Sequence, residues 1–364
     1  MEITRLELTN FRNIEQQVIE PCSGMNVIYG QNAQGKTNLI ESIWLMTGCR
    51  SFRGTKDTDL KAFKSIKTKI SLDYYGKDRD QNMTLDLIYG RKFTHNGVPL
   101  KPMSKVVGEF LAVVFSPVDI ALIKDGPAER RKFLDIAISQ QRPGYAELLV
   151  KYNHCVSERN AGLKDSLYHP EVLEMLDIWE EKICEYGADI ILIRKEYIER
   201  LQKAAGEIYF GLSGGKEELT ITYKSPTANL KERDRIRNGL WQLLEGSRHM
   251  EQRAGVTCFG PHRDDLDIRI NALPARTFGS QGQQRSCALA LKLGMASLVK
   301  EFTGEQPVAL LDDVMSELDT SRQDYILNHI KDWQVFITCC DPSSVKNLKY
   351  GKAFEVDRGV ITEI

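Results

Sequence analysis

The chain opens on a strand-like alternation through Ile3, Arg5, Leu6 and Leu8. A short apolar run, Met25-Asn26-Val27-Ile28-Tyr29, predicts a buried strand that Gly30 breaks. Leu39, Ile40, Ile43, Trp44 and Met46 then recur at helical spacing until Gly48 stops them. Strand-like stretches follow at 68–75, 83–89 and 113–115. From Pro127, a residue suited to a first helical turn, the pattern turns helical over 128–139 and 145–163. Leu176, Trp179, Ile183, Tyr186, Ile190, Ile193, Tyr197 and Leu201 are spaced 3, 4, 3, 4, 3, 4 and 4, which predicts a long amphipathic helix over 171–209 packed in a bundle. Gly211 to Gly215 ends it, residues 219–223 read as a strand, and 231–250 return to helix. Strands are expected again near 266–270, 308–311 and 334–338.

This order predicts an α/β domain split in sequence, with a mainly helical lobe inserted between its halves. The expected boundaries are 1–126 and 256–364 for the α/β part and 127–255 for the lobe. At 364 residues with 42% apolar content, the chain can fill two or three cores. Lys+Arg (49) and Asp+Glu (50) nearly cancel, which excludes a uniformly basic nucleic-acid coat and leaves local patches. No apolar run approaches the roughly 20 residues that cross a bilayer, and no charged-then-apolar leader precedes the first strand. A soluble, cytoplasmic protein is expected. The eight cysteines form no CxxC pair, so small buried thiols are expected, with Cys339 and Cys340 both facing core or sheet.

The chemistry is concentrated in two places. Gly30-Gln31-Asn32-Ala33-Gln34-Gly35-Lys36-Thr37 fits G-x-x-x-x-G-K-[ST], with a predicted strand before it and a helix after it. Glycines let backbone N–H groups close around phosphate oxygens, and the helix N-terminus adds its partial positive charge. In such a loop Lys36 holds the β and γ phosphates of ATP, and the Thr37 hydroxyl is a Mg²⁺ ligand. Downstream, Val308-Ala309-Leu310-Leu311 ends in Asp312-Asp313. A buried strand carrying acids at its C-terminal end is where an open α/β sheet binds ligands. Asp312 is the candidate Mg²⁺ acid, and Asp313 the candidate that orients or deprotonates water.

Ser316-Glu317-Leu318-Asp319 follows directly. Loop, double acid and this sequence together resemble an ABC-type ATPase. The resemblance implies a third element: a serine-glycine motif opening a helix, which contacts the γ-phosphate held by a second subunit. Leu212-Ser213-Gly214-Gly215 has the letters but ends a helix. Ser280-Gln281-Gly282-Gln283-Gln284 stands 32 residues before Asp312 and opens an apolar helical stretch, so Ser280, Gly282 and Gln283, with Asp319, are the candidates for contact in trans.

Flanking residues narrow the family. Leu6-Glu7-Leu8-Thr9-Asn10-Phe11-Arg12-Asn13 resembles the opening strand of SMC-like DNA-repair ATPases, which adds Arg12 and Asn13 as candidate ATP contacts. Phe259-Gly260-Pro261-His262-Arg263-Asp264-Asp265, Ser51-Phe52-Arg53, Phe115-Ser116-Pro117 and Arg130-Arg131-Lys132-Phe133-Leu134-Asp135 are similar to the bacterial RecF family of recombination mediators. That resemblance implies an ATP-driven homodimer on duplex, gapped or junction DNA, acting with RecO and RecR to help load RecA. It also implies slow, DNA-stimulated hydrolysis. Asp313 departs from the Glu of the wider ABC pattern, being one methylene shorter, and the sensing Gln and His of transport ATPases have no clear match, Ser116 and Thr338 falling near their places.

Residues 50–69 carry Arg50, Arg53, Lys56, Lys61, Lys64, Lys67 and Lys69 against Asp57 and Asp59, a candidate phosphate-tracking stretch. No aromatic alternation suggests stacking on single strands, which favours duplex. Arg130–Lys132 is a second basic candidate, expected on a helix surface or at the ATP side. His262 with Asp264 and Asp265 reads as a structural loop rather than a metal site. A different SMC-like DNA clamp and a small-molecule kinase are the alternatives; a kinase has no use for Ser280 and Asp319 facing a second subunit.

Overall fold

A computed structural model describes residues 1–63, 65–340 and 351–364. The chain folds into two compact units. The first collects residues 1–120, 208–216 and 285–364, and the second collects 121–207 and 217–284.

Two six-stranded sheets build the first unit. One is antiparallel, in the order 14–19, 2–11, 69–76, 79–86, 92–95, 98–100. The other runs 360–363, 351–357, 25–29, 335–339, 308–311, 112–115, parallel except at the 360–363 edge. Its strands Val308–Leu311 and Val335–Cys339 are buried at every position, as expected of strands covered on both faces. Helix Lys36–Leu45 packs against Glu2–Phe11 of the first sheet and against three strands of the second. Eight of its residues are therefore buried, including Lys36, Glu41 and Ser42. A one-residue bulge between Ile3 and Arg5 interrupts the outer ladder. Beside the bulge, buried Gln334 satisfies the Ile3 backbone, accepting from Ile3 N–H at 2.6 Å and donating to Ile3 O at 2.8 Å.

In the second unit the long helices are Pro127–Gln141, Pro143–Asp165, most of Leu176–Leu212, and Arg233–Ala254. Proline opens each of the first two. Gly255, left-handed at φ 66°, closes the last by donating to Glu251 O and Gln252 O. The expected boundary at 256 is corrected here. Strand Asp265–Ile270 pairs along its whole length with Leu219–Lys224, so 256–284 belong with the helices, and the returning strands of the first unit begin only at Val308. Strand Arg79–Asp86 also lies upstream of the expected 83–89, because the hairpin turn falls at Lys77 and Asp78, both at positive φ.

Candidate nucleotide site

Strand Met25–Tyr29 lies between 335–339 and 351–357, so the loop after it leaves the middle of a parallel sheet. Gly30 has φ 148°, and a Cβ there would come 2.3 Å from Val356 O. Gly35 has φ 121°, and its Cβ would come 2.9 Å from the Asn13 amide. Both positions therefore exclude side chains, because Val356 O and the Asn13 amide already stand where a Cβ would lie, and the loop between them forms a tight backbone cradle. Gln34 fixes the loop's outer arm: its carbonyl accepts from Asn13 Nδ2 at 2.8 Å and from Gly359 N at 2.9 Å, and its Oε1 accepts from Arg358 N at 2.7 Å. No side chain caps helix Lys36–Leu45, so its leading N–H groups face the cradle. Lys36, nearly buried, folds over the loop and donates from Nζ to Gly30 O and, at 2.9 Å, to Gln31 O.

Asp312 is buried at the end of its strand. Its Oδ1 accepts from Thr37 Oγ1 at 2.8 Å and from Thr338 Oγ1 at 3.0 Å. Burial pushes the Asp312 carboxyl above the ordinary carboxylate range; the two hydroxyls and Arg53 pull it back, while Asp313 raises it further. Thr338 also accepts from Asp313 N–H at 2.8 Å. Asp313 itself is exposed and left-handed at φ 53°, a conformation a non-glycine residue takes only when its surroundings hold it. A threonine hydroxyl and a carboxylate oxygen 2.8 Å apart are the hard oxygen donors that Mg²⁺ takes beside phosphate oxygens. Cradle, lysine and oxygen pair together fit ATP with Mg²⁺.

Arg12 lies one layer behind the loop. Its guanidinium is bidentate on the fully buried carboxylate of Glu41, at 2.9 and 3.0 Å, and also donates to Thr55 Oγ1 and Asp59 O. Ser51 donates to the same carboxylate. Arg12 thus anchors the P-loop helix, and Asn13 anchors the loop. Arg53 is drawn to this site rather than to the basic stretch: its Nη1 donates to Asn38 Oδ1 at 3.0 Å and lies 3.9 Å from Glu41. Glu41 escaped the sequence reading, although an acid inside an apolar helical run is the available signal. Cys340 corrects the expectation of two inward-facing thiols: Cys339 is buried, but Cys340 is exposed, with Sγ 3.2 Å from Asn32 Oδ1 and 3.9 Å from Lys36 Nζ.

Ser280 lies at the exposed start of helix Gln281–Thr303. It forms a reciprocal capping box with Gln283: Ser280 N donates to Gln283 Oε1 at 2.8 Å, and Gln283 N donates to Ser280 Oγ at 3.3 Å. Gly282 falls in the first turn. The rival stretch 212–215 is the end of helix Leu176–Leu212, where Gly215 N donates to Phe210 O at 2.8 Å and Gly214 and Gly215 are left-handed. Asp319 caps helix Thr320–His329, accepting from Arg322 N at 3.0 Å. That backbone bond, then the Arg322 charge, hold its carboxyl below the usual range.

Of the basic stretch, Arg50, Lys56 and Lys67 are exposed, Lys61 donates to Ile88 O at 2.9 Å, and Lys64 lies outside the described residues. Arg130 is not on a helix surface: it is buried against Asp265, with its Nε 2.6 Å from Oδ1. His262 bonds Tyr152 at 2.7 Å and Thr257 O at 3.1 Å, and Asp264 accepts from Tyr223. These bonds tie the loop to Tyr152, Thr257 and Tyr223.

Residues 2–361 match the family model described as the RecF/RecN/SMC N terminal domain. The chain is 40% identical over 356 residues to the DNA replication and repair protein RecF of Acetivibrio thermocellus, covering 96% of each. It is 39% identical over 368 residues to that of Clostridium novyi, covering 100% of each. Among solved structures it is similar to the recombination mediator protein RecF-ATPrS in the RecFOR pathway, with TM-score 0.92 and 37% identity over 100% of this chain and 98% of that one. The Smc head domain of Pyrococcus furiosus shares the fold at 16% identity, TM-score 0.56, covering 100% of this chain and 96% of that one.

Proposed function

The chain belongs to the RecF family of SMC-type, ABC-like ATPases, and from that premise we propose that it is an ATP-gated DNA-binding protein of recombinational repair and replication-fork maintenance. ATP and Mg²⁺ bind at Gly30–Thr37 and Asp312. Ser280, Gly282 and Gln283 of a second copy, with its Asp319, close over the γ-phosphate, and the resulting homodimer grips duplex or junction DNA. RecO and RecR are the expected partners, in line with the RecFOR pathway that names the related structure, and loading of RecA the expected outcome.

The observation that carries this reading is the convergence of Thr37 and Thr338 on one oxygen of Asp312, beside a loop whose two glycines let its backbone pack against Val356 and Asn13. Lys36 offsets phosphate charge, and Asp313 is the group placed to orient or deprotonate water. Its short side chain favours slow turnover, since misplacing a reacting group by ~1 Å can cost ~10²-fold. Such an enzyme switches rather than pumps.

Sedimentation with and without ATP·Mg²⁺ tests the reading: dimers are expected at micromolar concentration only with nucleotide. Ser280→Arg should keep ATP binding and lose the dimer. A chain that stays monomeric with ATP·Mg²⁺, or a Ser280→Arg variant that loses both properties together, refutes the shared site.

A further inference from the structure

The turn that leads into Ser280 is held from within and shows its side chains outward. Leu273 and Pro274 pair back onto Ile270 and Arg269, and Ala275–Phe278 make one helical turn with Ala275 buried. Gly279 N donates to Ala275 O at 3.1 Å, and a Cβ on Gly279 would come 2.6 Å from that oxygen, so the turn closes only around glycine. Buried Gln284 fastens it to the following helix, donating from Nε2 to Ala275 O at 3.0 Å and to Arg276 O at 3.1 Å. On this fixed backbone Arg276, Thr277, Phe278 and Ser280 are all exposed, Phe278 by 64%. Among the described residues, no hydrogen bond or ion pair takes the Arg276 guanidinium, and no ring or cation meets the Phe278 ring. One acid lies close by: Glu217 accepts from Gln283 Nε2 at 2.7 Å.

A single exposed phenylalanine is ordinary on a protein surface; its place here is not. Two residues of chain span at most ~7 Å, so the ring stands beside the serine proposed to meet a γ-phosphate. The other half of that site, Gly30–Thr37 with Asn13 and Asp312, offers backbone N–H groups, an ammonium and oxygens, but no ring. Those groups address phosphates and Mg²⁺, not a base. We propose that Phe278 of one copy stacks on the purine of the ATP held by the other, with Arg276 beside it facing the phosphates. This rests on the shared-site reading above and adds base recognition to it: each copy supplies the ring that Gly30–Thr37 does not have. Charge favours a nucleotide over a protein surface as the occupant, because a free guanidinium next to a ring complements an anion that carries a flat base. Twofold symmetry gives the dimer two such stacks. The base contact is therefore read in the strength of the dimer, not in the affinity of a single copy for ATP.

Sedimentation of the full-length chain with ATP·Mg²⁺ tests this. Phe278→Ala should raise the dimer dissociation constant about tenfold or more, while ATP affinity measured below the dimerisation range stays unchanged. Phe278→Trp should dimerise at least as well as the parent, because it keeps a ring. The triphosphate of 2-aminopurine riboside reads the stack directly, since stacking quenches its fluorescence. The parent dimer should quench it, and the Phe278→Leu dimer, at concentrations where both are paired, should not. Parent-like dimerisation by Phe278→Ala, or equal quenching by Phe278→Leu, overturns the base contact while leaving Ser280 in its role. A parent chain that stays monomeric with ATP·Mg²⁺ removes the shared site and the base contact together.

Discussion

Two helix N-termini carry the proposed chemistry, and they are built in opposite ways. Helix Lys36–Leu45 starts from a left-handed glycine with no side-chain cap, its loop held from outside by Asn13 and the turn at Arg358 and Gly359. Helix Gln281–Thr303 starts from Ser280, which satisfies its own first turn through Gln283. The first end has no side-chain cap for an anion to displace. At the second, a phosphate has to compete with a capping box worth about 1 kcal/mol. On the proposed reading the contrast implies an order of events: nucleotide would dock on the uncapped end first, and the self-capped end would engage only where a bound triphosphate displaces its own cap.

The uncapped end should show the largest effect. Lys36→Met removes the cation folded over the loop while keeping side-chain length, and a charge-assisted hydrogen bond is worth about 1.5–3 kcal/mol. Nucleotide affinity, read by equilibrium binding, should fall on the order of 10²-fold. A loss of less than about threefold would mean that the backbone cradle holds phosphate without the lysine.

Thr338 separates binding from hydrolysis at the same end. Its hydroxyl joins Asp312 Oδ1 to the backbone N–H of left-handed Asp313, so it holds the backbone from which the second carboxylate projects, while Ser316 Oγ donates to that carboxylate at 3.1 Å. Thr338→Val should reduce single-turnover hydrolysis by roughly tenfold or more and leave nucleotide affinity nearly unchanged, and Thr338→Ser should restore the rate. If rate and affinity fall together, Thr338 only supports the fold.

What the sequence revealed of this site follows from how each contact is made. The P-loop was legible because phosphate binding needs particular residue types at adjacent positions. Asp312 was legible because four apolar residues precede it. The supports were not: Asn13 with Gly359, Thr338 with Asp313, and Gln334 with Ile3 join residues far apart in the chain, and only the sheet order brings them together. The boundary near 256 was misplaced for a related reason. Strand 265–270 alternates as expected, but its pattern does not say that its partner is 219–224. Charged residues inside the helical lobe were hidden as well. Fully buried Arg159 is paired with Glu180 and Glu251, and Arg194 with Asp135, at positions an apolar seam treats as neutral.

At the self-capped end, capping and phosphate contact can be pulled apart with two substitutions. Ser280→Ala should cost about 1 kcal/mol of stability, because alanine cannot cap. Ser280→Asp caps as well as serine and adds a favourable charge at a helix start, so thermal melting should be at or above that of the parent. Its carboxylate repels a phosphate, so ATP-dependent dimerisation should fail in sedimentation. If Ser280→Asp dimerises like the parent, the motif serves its helix and no nucleotide.

The unit that presents Ser280 also holds two titrating groups whose effects oppose each other. Burial lowers the His262 pKa from 6.5 to about 4, so its share of stability is present above 6.5 and is lost as pH falls through 4. Burial raises Asp264 from 3.8 to about 6, partly offset by its bond from Tyr223; its share is present below 3.8 and is lost as pH rises through 6. Each shift amounts to roughly 3 kcal/mol, and between pH 6.5 and 4 they run in opposite directions. The parent should therefore show little net dependence from this pair. His262→Gln should gain melting temperature on acidification relative to the parent, and Asp264→Asn should lose it. Parallel pH profiles for both variants would mean that the two groups do not titrate against each other inside this loop.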